Sequence, residues 1–129
     1  DYAHRHPGRA AAVPSLGFKR YLSALRGAAA MIGNSSSGII EAPSFGIPTI
    51  NIGVRQQGRL AADSVLHCQA DTASIENAIS KAISREFRLR AKDAVNPYGQ
   101  GNAAAQIVKV IEQHCGRFEK HFYDQVPRS

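Results

Sequence analysis

A run of small polar residues separates two apolar segments in the sequence GNSSSGIIEAPSFGIPTINIG, residues 33–53. The segments AAAMIG and IPTINI on either side of the loop and helix are short and apolar, which is typical of buried strands. Residues 39–45 predict a short helix that ends at Gly46, and Pro43 requires that this helix start late or bend. A strand, a polar loop, a helix and a second strand in this order predict a βαβ unit with a parallel sheet.

Apolar spacing predicts further elements along the chain. They are a helix end closed by Pro7 and Gly8, strands over 10–13, 28–33, 47–52 and 64–68, helices over 18–26, 72–84 and 101–114, and a short helix around 118–123. About four strands alternating with helices predict an α/β fold, a Rossmann-like parallel sheet with helices on both faces. We treat residues 1–129 as a single partial nucleotide-binding domain, with residues 116–129 as a C-terminal tail.

Composition limits the partners of this domain. The chain has 129 residues with a formal net charge of +6, which suits a phosphate-bearing ligand and would also suit nucleic acid. The basic residues are scattered without an aromatic-basic repeat or zinc-finger spacing, so we expect no nucleic acid. Cys68 and Cys115 are far apart, which indicates reduced thiols in a cytoplasmic protein and no metal site. No apolar run is long enough to span a bilayer, so we expect no membrane association.

The serine-rich loop is the strongest candidate for a binding site. It follows a predicted parallel strand, and ligands of such sheets bind at the carboxyl ends of strands. Small serines let an anion approach the backbone at the N-terminus of the next helix, although serines that merely cap this helix remain the alternative. The sequence also lacks an initiator methionine, and we expect the domain to be part of a longer protein.

Acidic and basic residues near the loop extend this site. A capping box would need Ser or Thr three residues before Glu41, but Gly38 is there. Glu41 is therefore a candidate to bind a ribose diol, and an acid placed near a positive helix end is the alternative. Arg55 and Arg59 follow the next strand, where a guanidinium could pair with phosphate.

Three segments resemble the hydrolysing UDP-N-acetylglucosamine 2-epimerases of sialic-acid-type sugar pathways. These segments are MIGNSSSGIIEAPSFGIPTINIGVRQQGR, PSLGFKRYLSAL and NPYGQGNAAAQIV. The resemblance implies a two-domain protein of the glycosyltransferase-B type, with the active site between two Rossmann-like domains. It implies that this chain is similar to most of the C-terminal domain, with the N-terminal domain missing.

The resemblance assigns roles to eight residues of this chain. It implies that Ser35, Ser36, Ser37, Gly38 and Arg55 bind the UDP phosphates, that Glu41 binds the ribose, and that Leu16 and Tyr21 bind the uracil. For the last two residues, core packing at a helix start is the alternative.

The implied reaction is anti elimination of UDP to a glycal, followed by addition of water with inversion at C2. The products would be N-acetylmannosamine and UDP, no cofactor would be needed, and the identity of the N-acetylated sugar stays open. The family's catalytic groups lie outside this chain, so we expect no catalytic residue here and no turnover by the chain alone. We also expect a homo-oligomer. The alternatives are the C-terminal domain of a UDP-sugar glycosyltransferase and a non-catalytic UDP-binding module.

Overall fold

Three parallel strands form the sheet of this protein, for which a computed structural model describes residues 1–115. The strands are β1 (Met31–Gly33), β2 (Thr49–Ile52) and β3 (Val65–Cys68), in the order β1-β2-β3. Met31 is opposite Thr49, and Thr49 is opposite Val65. The parallel sheet with helices around it confirms the predicted α/β, Rossmann-like class.

Helices precede, connect and follow these strands. They are α1 (Tyr2–Arg5), α2 (Gly17–Gly27), α3 (Ser37–Ile40) with a 3₁₀ turn (Ala42–Phe45), α4 (Thr72–Ile83), α5 (Arg85–Asp93) and α6 (Ala103–His114). Residues 1–98 form one compact unit that contains the whole sheet. Residues from Gly99 onward form a second unit, in which α6 is the described helix.

Two apolar clusters make up the core of the first unit. One joins Leu25 of α2 to Ala42 and Ile47, and the other joins Ile50 of β2 to Ala78 and Ala82 of α4. Successive residues of a strand point to opposite faces of its sheet. Ile50 therefore faces α4, while its neighbour Thr49 lies against α3, where Gly38 packs. These contacts place helices on both faces of β2.

Gly38 allows α3 to lie unusually close to β2. A Cβ atom built on Gly38 would be 2.7 Å from the Cγ2 atom of Thr49. This separation is shorter than any ordinary contact between carbon atoms, so a larger residue would push α3 away from the sheet. Glycine at this position thus fixes the distance between the sheet and the helix that follows the serine loop.

Three of the predicted elements differ from the structure. Residues 10–13 form no strand, and the described sheet consists of β1, β2 and β3. The strand predicted over 28–33 is shortened to β1. The helix predicted over 39–45 begins at Ser37 and becomes a 3₁₀ turn after Glu41, which places Pro43 in the first turn of the 3₁₀ segment, where its missing N–H costs little.

Helix α5 was not predicted from the sequence. Its residues are mostly charged, and only Phe87 and Ala91 are buried, which is too few to produce an apolar repeat. The Ser84 hydroxyl accepts a hydrogen bond from the Phe87 N–H at 3.2 Å and begins the helix. The helices predicted over 18–26, 72–84 and 101–114 are confirmed as α2, α4 and α6. The tail 116–129 and the helix predicted around 118–123 lie outside the described residues.

Candidate functional site

The serine loop follows β1 directly and closes on itself in a tight turn. The Ser37 N–H donates to the Ser35 hydroxyl at 3.3 Å, and the Gly38 N–H donates to the Ser35 carbonyl at 3.2 Å. The Ile39 N–H donates to the Ser36 carbonyl at 2.9 Å. The first N–H groups of α3 are therefore already partnered, contrary to the expectation that they point freely at a ligand.

The donors left at this loop belong to its first two serines. Within residues 1–115, the structure shows no hydrogen bond from the N–H of Ser35 or of Ser36. Helix α3 has only four residues, so its dipole is small compared with that of a full-length helix. An anion at this loop would be bound by serine hydroxyl groups and by these two N–H groups more than by the helix dipole.

Glu41 lies at the C-terminal end of α3, as its C-cap residue. Glu41 is also the N-cap residue of the 3₁₀ turn (Ala42–Phe45), so an acid near a positive helix end remains the alternative to ribose binding. The Oε2 atom of Glu41 is buried and has no hydrogen-bond partner in the described residues. A buried carboxylate oxygen without a donor is costly, and such atoms in native proteins call for an explanation.

Tyr21 links the predicted uracil position to the serine loop. Its hydroxyl is hydrogen-bonded to the hydroxyl of Ser37 and lies 3.7 Å from the sulfur of Met31. Leu16, Phe18 and Tyr21 line a cavity of about 460 Å³ at the start of α2. Leu16 is 38% exposed and Phe18 is 74% exposed. The structure thus brings Leu16 and Tyr21 to one cavity, next to the loop predicted to bind phosphate.

Arg55 lies on the loop that follows β2 and is exposed. Because β1 and β2 are parallel neighbours, this loop and the serine loop emerge at the same edge of the sheet. Gln56 joins the two loops, since its Nε2 group donates to the Asn34 carbonyl at 2.9 Å and its side chain is 4% exposed. Sequence reasoning missed Gln56, because no residue pattern distinguishes a buried glutamine in a loop from an exposed one.

The segment NPYG braces the other end of α3. The Asn96 amide donates to the Ile40 carbonyl at 2.9 Å and to the Ser44 hydroxyl at 2.6 Å. The Tyr98 hydroxyl donates to the Leu60 carbonyl at 3.1 Å. The sequence predicted only a turn here, and the Tyr98 N–H does form that turn with the Asn96 side chain at 3.0 Å. The turn therefore contacts the Ile40 carbonyl before Glu41 and the Ser44 side chain after it.

Three other features of the described residues concern metals, membranes and thiols. Across residues 1–115, no three His, Cys, Asp or Glu side chains lie close enough together to hold a metal ion. No described helix is both long and apolar enough to cross a membrane. Cys68 is half-buried and Cys115 is exposed, and both are free thiols.

Comparison with known proteins identifies relatives over most of the chain. The model of the family described as UDP-N-acetylglucosamine 2-epimerase matches residues 1–112. The polysialic acid biosynthesis protein P7 of Escherichia coli is 36% identical over 107 residues, which cover 81% of this chain and 27% of that protein. The GDP/UDP-N,N'-diacetylbacillosamine 2-epimerase (hydrolyzing) of Campylobacter jejuni is 41% identical over 88 residues, covering 68% of this chain and 22% of that protein.

A third relative is the UDP-N-acetylglucosamine 2-epimerase of Neisseria meningitidis serogroup B. It is 37% identical over 100 residues, which cover 78% of this chain and 26% of that protein. The chain thus spans about a quarter of the length of the curated relatives that it matches.

Proposed function

We propose that this chain, which belongs to the UDP-N-acetylglucosamine 2-epimerase family, holds the UDP group of a nucleotide-sugar substrate at the carboxyl edge of its sheet. Parallel α/β sheets bind ligands at this edge, and the serine loop and the Arg55 loop both emerge there. The family match favours this role in an epimerase over a role in a glycosyltransferase.

The observation that carries the proposal is the buried, unpartnered Oε2 atom of Glu41. The atom lies at the junction between α3 and the 3₁₀ turn, and the Asn96 turn holds the backbone beside it. Because Oε2 is enclosed and the Glu41 side chain as a whole is only half-buried, a ribose diol would donate to the other carboxylate oxygen, Oε1. The hydrogen bond would be charge-assisted, which makes it stronger than one between neutral groups.

The phosphates of UDP would lie against the serine loop. The hydroxyl groups and the backbone N–H groups of Ser35 and Ser36 would donate to the phosphate oxygens, whereas the N–H groups of Ser37 and Gly38 already have partners within the loop. The Arg55 guanidinium would neutralise the charge of the phosphates. Gln56 would act as a positioning residue, because its hydrogen bond to Asn34 holds the two loops at a fixed separation.

The uracil would enter the cavity lined by Leu16 and Tyr21. Apolar and aromatic walls suit a flat base, and such walls are usual in nucleotide pockets. The hydrogen bond between Tyr21 and Ser37 would then align the base with the phosphates.

In the whole protein, this chain would stabilise the departing UDP while groups outside it perform proton transfer. The proposed reaction is a hydrolysing 2-epimerisation of an N-acetylated UDP-sugar, in which UDP is eliminated and water adds to the resulting glycal with inversion at C2. The relatives' names include UDP-N-acetylglucosamine and N,N'-diacetylbacillosamine enzymes and a polysialic acid biosynthesis protein. These names support the proposed role of the whole protein in the biosynthesis of sialic-acid-type sugars.

The test is calorimetric titration of the purified chain with UDP, with CMP as the control nucleotide. UDP should bind at millimolar concentration. One wall of a two-domain cleft would be absent, so less of the ligand surface would be buried and the affinity would be lower. Glu41→Gln should weaken UDP about tenfold or more and leave pyrophosphate unchanged, because a ribose contact contributes only when ribose is present.

Glu76→Gln is the matched control, because it removes an exposed carboxylate from α4 and should change neither ligand. Equal weakening of UDP and pyrophosphate by Glu41→Gln would remove the ribose role. Equal signals from UDP and CMP would refute the proposed site.

A further inference from the structure

A second and larger cavity lies at the carboxyl ends of β2 and β3. It has a volume of about 640 Å³ and is enclosed by the loop after β2, the end of β3 and one side of α4. Pockets for small molecules commonly have volumes of roughly 300–1,000 Å³. We call it the α4 cleft, and the uracil cavity at α2 shares none of its lining residues.

The charged residues of the α4 cleft are all basic. Arg59 comes from the loop and Lys81 from α4, and among the described residues that line the cleft none is Asp or Glu. Neither Arg59 nor Lys81 forms an ion pair within residues 1–115, whereas Arg90 on α5 is paired with Asp63 at 3.2 Å. A concave surface with unpaired cations and no acid concentrates positive potential and attracts anions.

Neutral polar groups complete the lining. Gln57, Gln69 and Asn77 contribute side-chain amides, each of which both donates and accepts hydrogen bonds. His67 also lines the cleft, and its Nδ1 atom is 3.1 Å from the Nδ2 atom of Asn51, which fixes the orientation of the ring. Groups that donate and accept at several points match a ligand with many hydroxyl groups.

From this lining we infer that the α4 cleft binds an anionic carbohydrate, a monosaccharide that carries a phosphate or carboxylate group. Arg59 and Lys81 pair with the anionic group, and the amides of Gln57, Gln69 and Asn77 bind the sugar hydroxyls. The ligand of the α4 cleft binds whether or not UDP is bound, and Gln56 is a residue that the two sites share.

One residue connects the two sites. Gln56 lines the α4 cleft and also donates to the Asn34 carbonyl of the serine loop. Its side chain is 4% exposed, so it has little freedom to move independently of either neighbour. A ligand that shifts the loop carrying Arg59 would therefore shift the serine loop as well, and the cleft would influence UDP binding through Gln56.

The test is calorimetric titration of the chain with N-acetylglucosamine 6-phosphate, next to titrations with N-acetylglucosamine and with inorganic phosphate. The double variant Arg59→Gln/Lys81→Gln should weaken the sugar phosphate about tenfold or more, since each residue forms a charged hydrogen bond. The control Arg88→Gln/Lys92→Gln removes the same charges from exposed positions of α5 and should leave this affinity unchanged.

Separate outcomes decide the two sites. Glu41→Gln should weaken UDP and leave the sugar phosphate unchanged, so failure of the UDP site would not remove binding in the α4 cleft. The inference is wrong if the sugar phosphate gives no saturable binding at millimolar concentration, or if inorganic phosphate binds equally well. Competition between UDP and the sugar phosphate for a single site would also refute it.

Discussion

Replacement of Gly38 by alanine should separate α3 from β2 and destabilise the fold. The new Cβ atom would lie 2.7 Å from the Cγ2 atom of Thr49, and the neighbouring sulfur of Met31 is 3.6 Å away. The conflict is therefore with one methyl group on the sheet. Thr49 is 2% exposed and has no space into which it can rotate freely.

The expected loss of stability follows from two opposing contributions. Overpacking of a tight core costs typically about 1–3 kcal/mol. Alanine is favoured over glycine inside a helix by about 0.5–1 kcal/mol, which offsets part of that cost. We expect Gly38→Ala to lower the free energy of unfolding by about 1–2 kcal/mol, measured by urea denaturation of the purified chain.

Thr49→Ser supplies the matched rescue. Serine lacks Cγ2 and keeps the Oγ1 hydroxyl, which is buried and unpartnered in the described structure, so only the conflicting methyl group is removed. The single variant Thr49→Ser should lose about 0.8 kcal/mol for the missing methyl group. The double variant Gly38→Ala/Thr49→Ser should be more stable than Gly38→Ala, because the alanine methyl fills the space that Cγ2 vacates. Losses that simply add in the double variant would refute the contact between α3 and β2.

Three further predictions concern the helix caps, the turn beside Glu41 and catalysis. The Asp71 carboxylate accepts a hydrogen bond from the Ser74 N–H at 2.9 Å, which lowers the pKa of Asp71. Asp71→Ala should therefore destabilise the chain near neutral pH, and the difference from the wild-type chain should shrink as pH falls through the folded pKa. Asp71→Asn keeps an acceptor, and its unfolding free energy in urea titrations should depend less on pH than that of the wild-type chain. Asn96→Ala should cost about 1–3 kcal/mol of unfolding free energy, since Ile40 and Ser44 lose their donor, whereas Asn102→Ala, whose side chain caps nothing, should cost less. The chain should release no UDP from UDP-N-acetylglucosamine above a boiled control, because the acid–base groups, which contribute about 10²–10⁴-fold each, would lie outside this chain. UDP release that a substitution within residues 1–129 abolishes would instead show that the chain carries catalytic groups.

The repeating strand and helix pattern was enough to predict the sheet and three helices. IPTINI and SVLHC are apolar, β-branched runs between turn residues, and they form β2 and β3. Helix α4 was predictable because Asp71 caps it and its apolar spacing is regular. Residues 10–13 resemble a strand by composition, but a strand also needs a neighbour with which to pair, and that neighbour is not specified locally.

The parts of the candidate site were predictable, but their connections were not. Ser35, Ser36, Glu41 and Arg55 stand out because of their position after apolar runs. The hydrogen bonds from Gln56 to Asn34 and from Asn96 to Ile40 join residues that are 22 and 56 positions apart. Such pairs depend on how the loops pack at the sheet edge, and neither hydrophobic periodicity nor turn chemistry encodes that packing.

The most direct test of UDP binding at the serine loop is mapping of backbone amide shifts in ¹⁵N–¹H NMR spectra as UDP is added. We expect saturable shifts for Ser35, Ser36, Ser37 and Glu41 and for residues around Tyr21, with weaker changes when CMP is added. Shifts confined to the α4 cleft, or spectra that do not change at millimolar UDP, would contradict it.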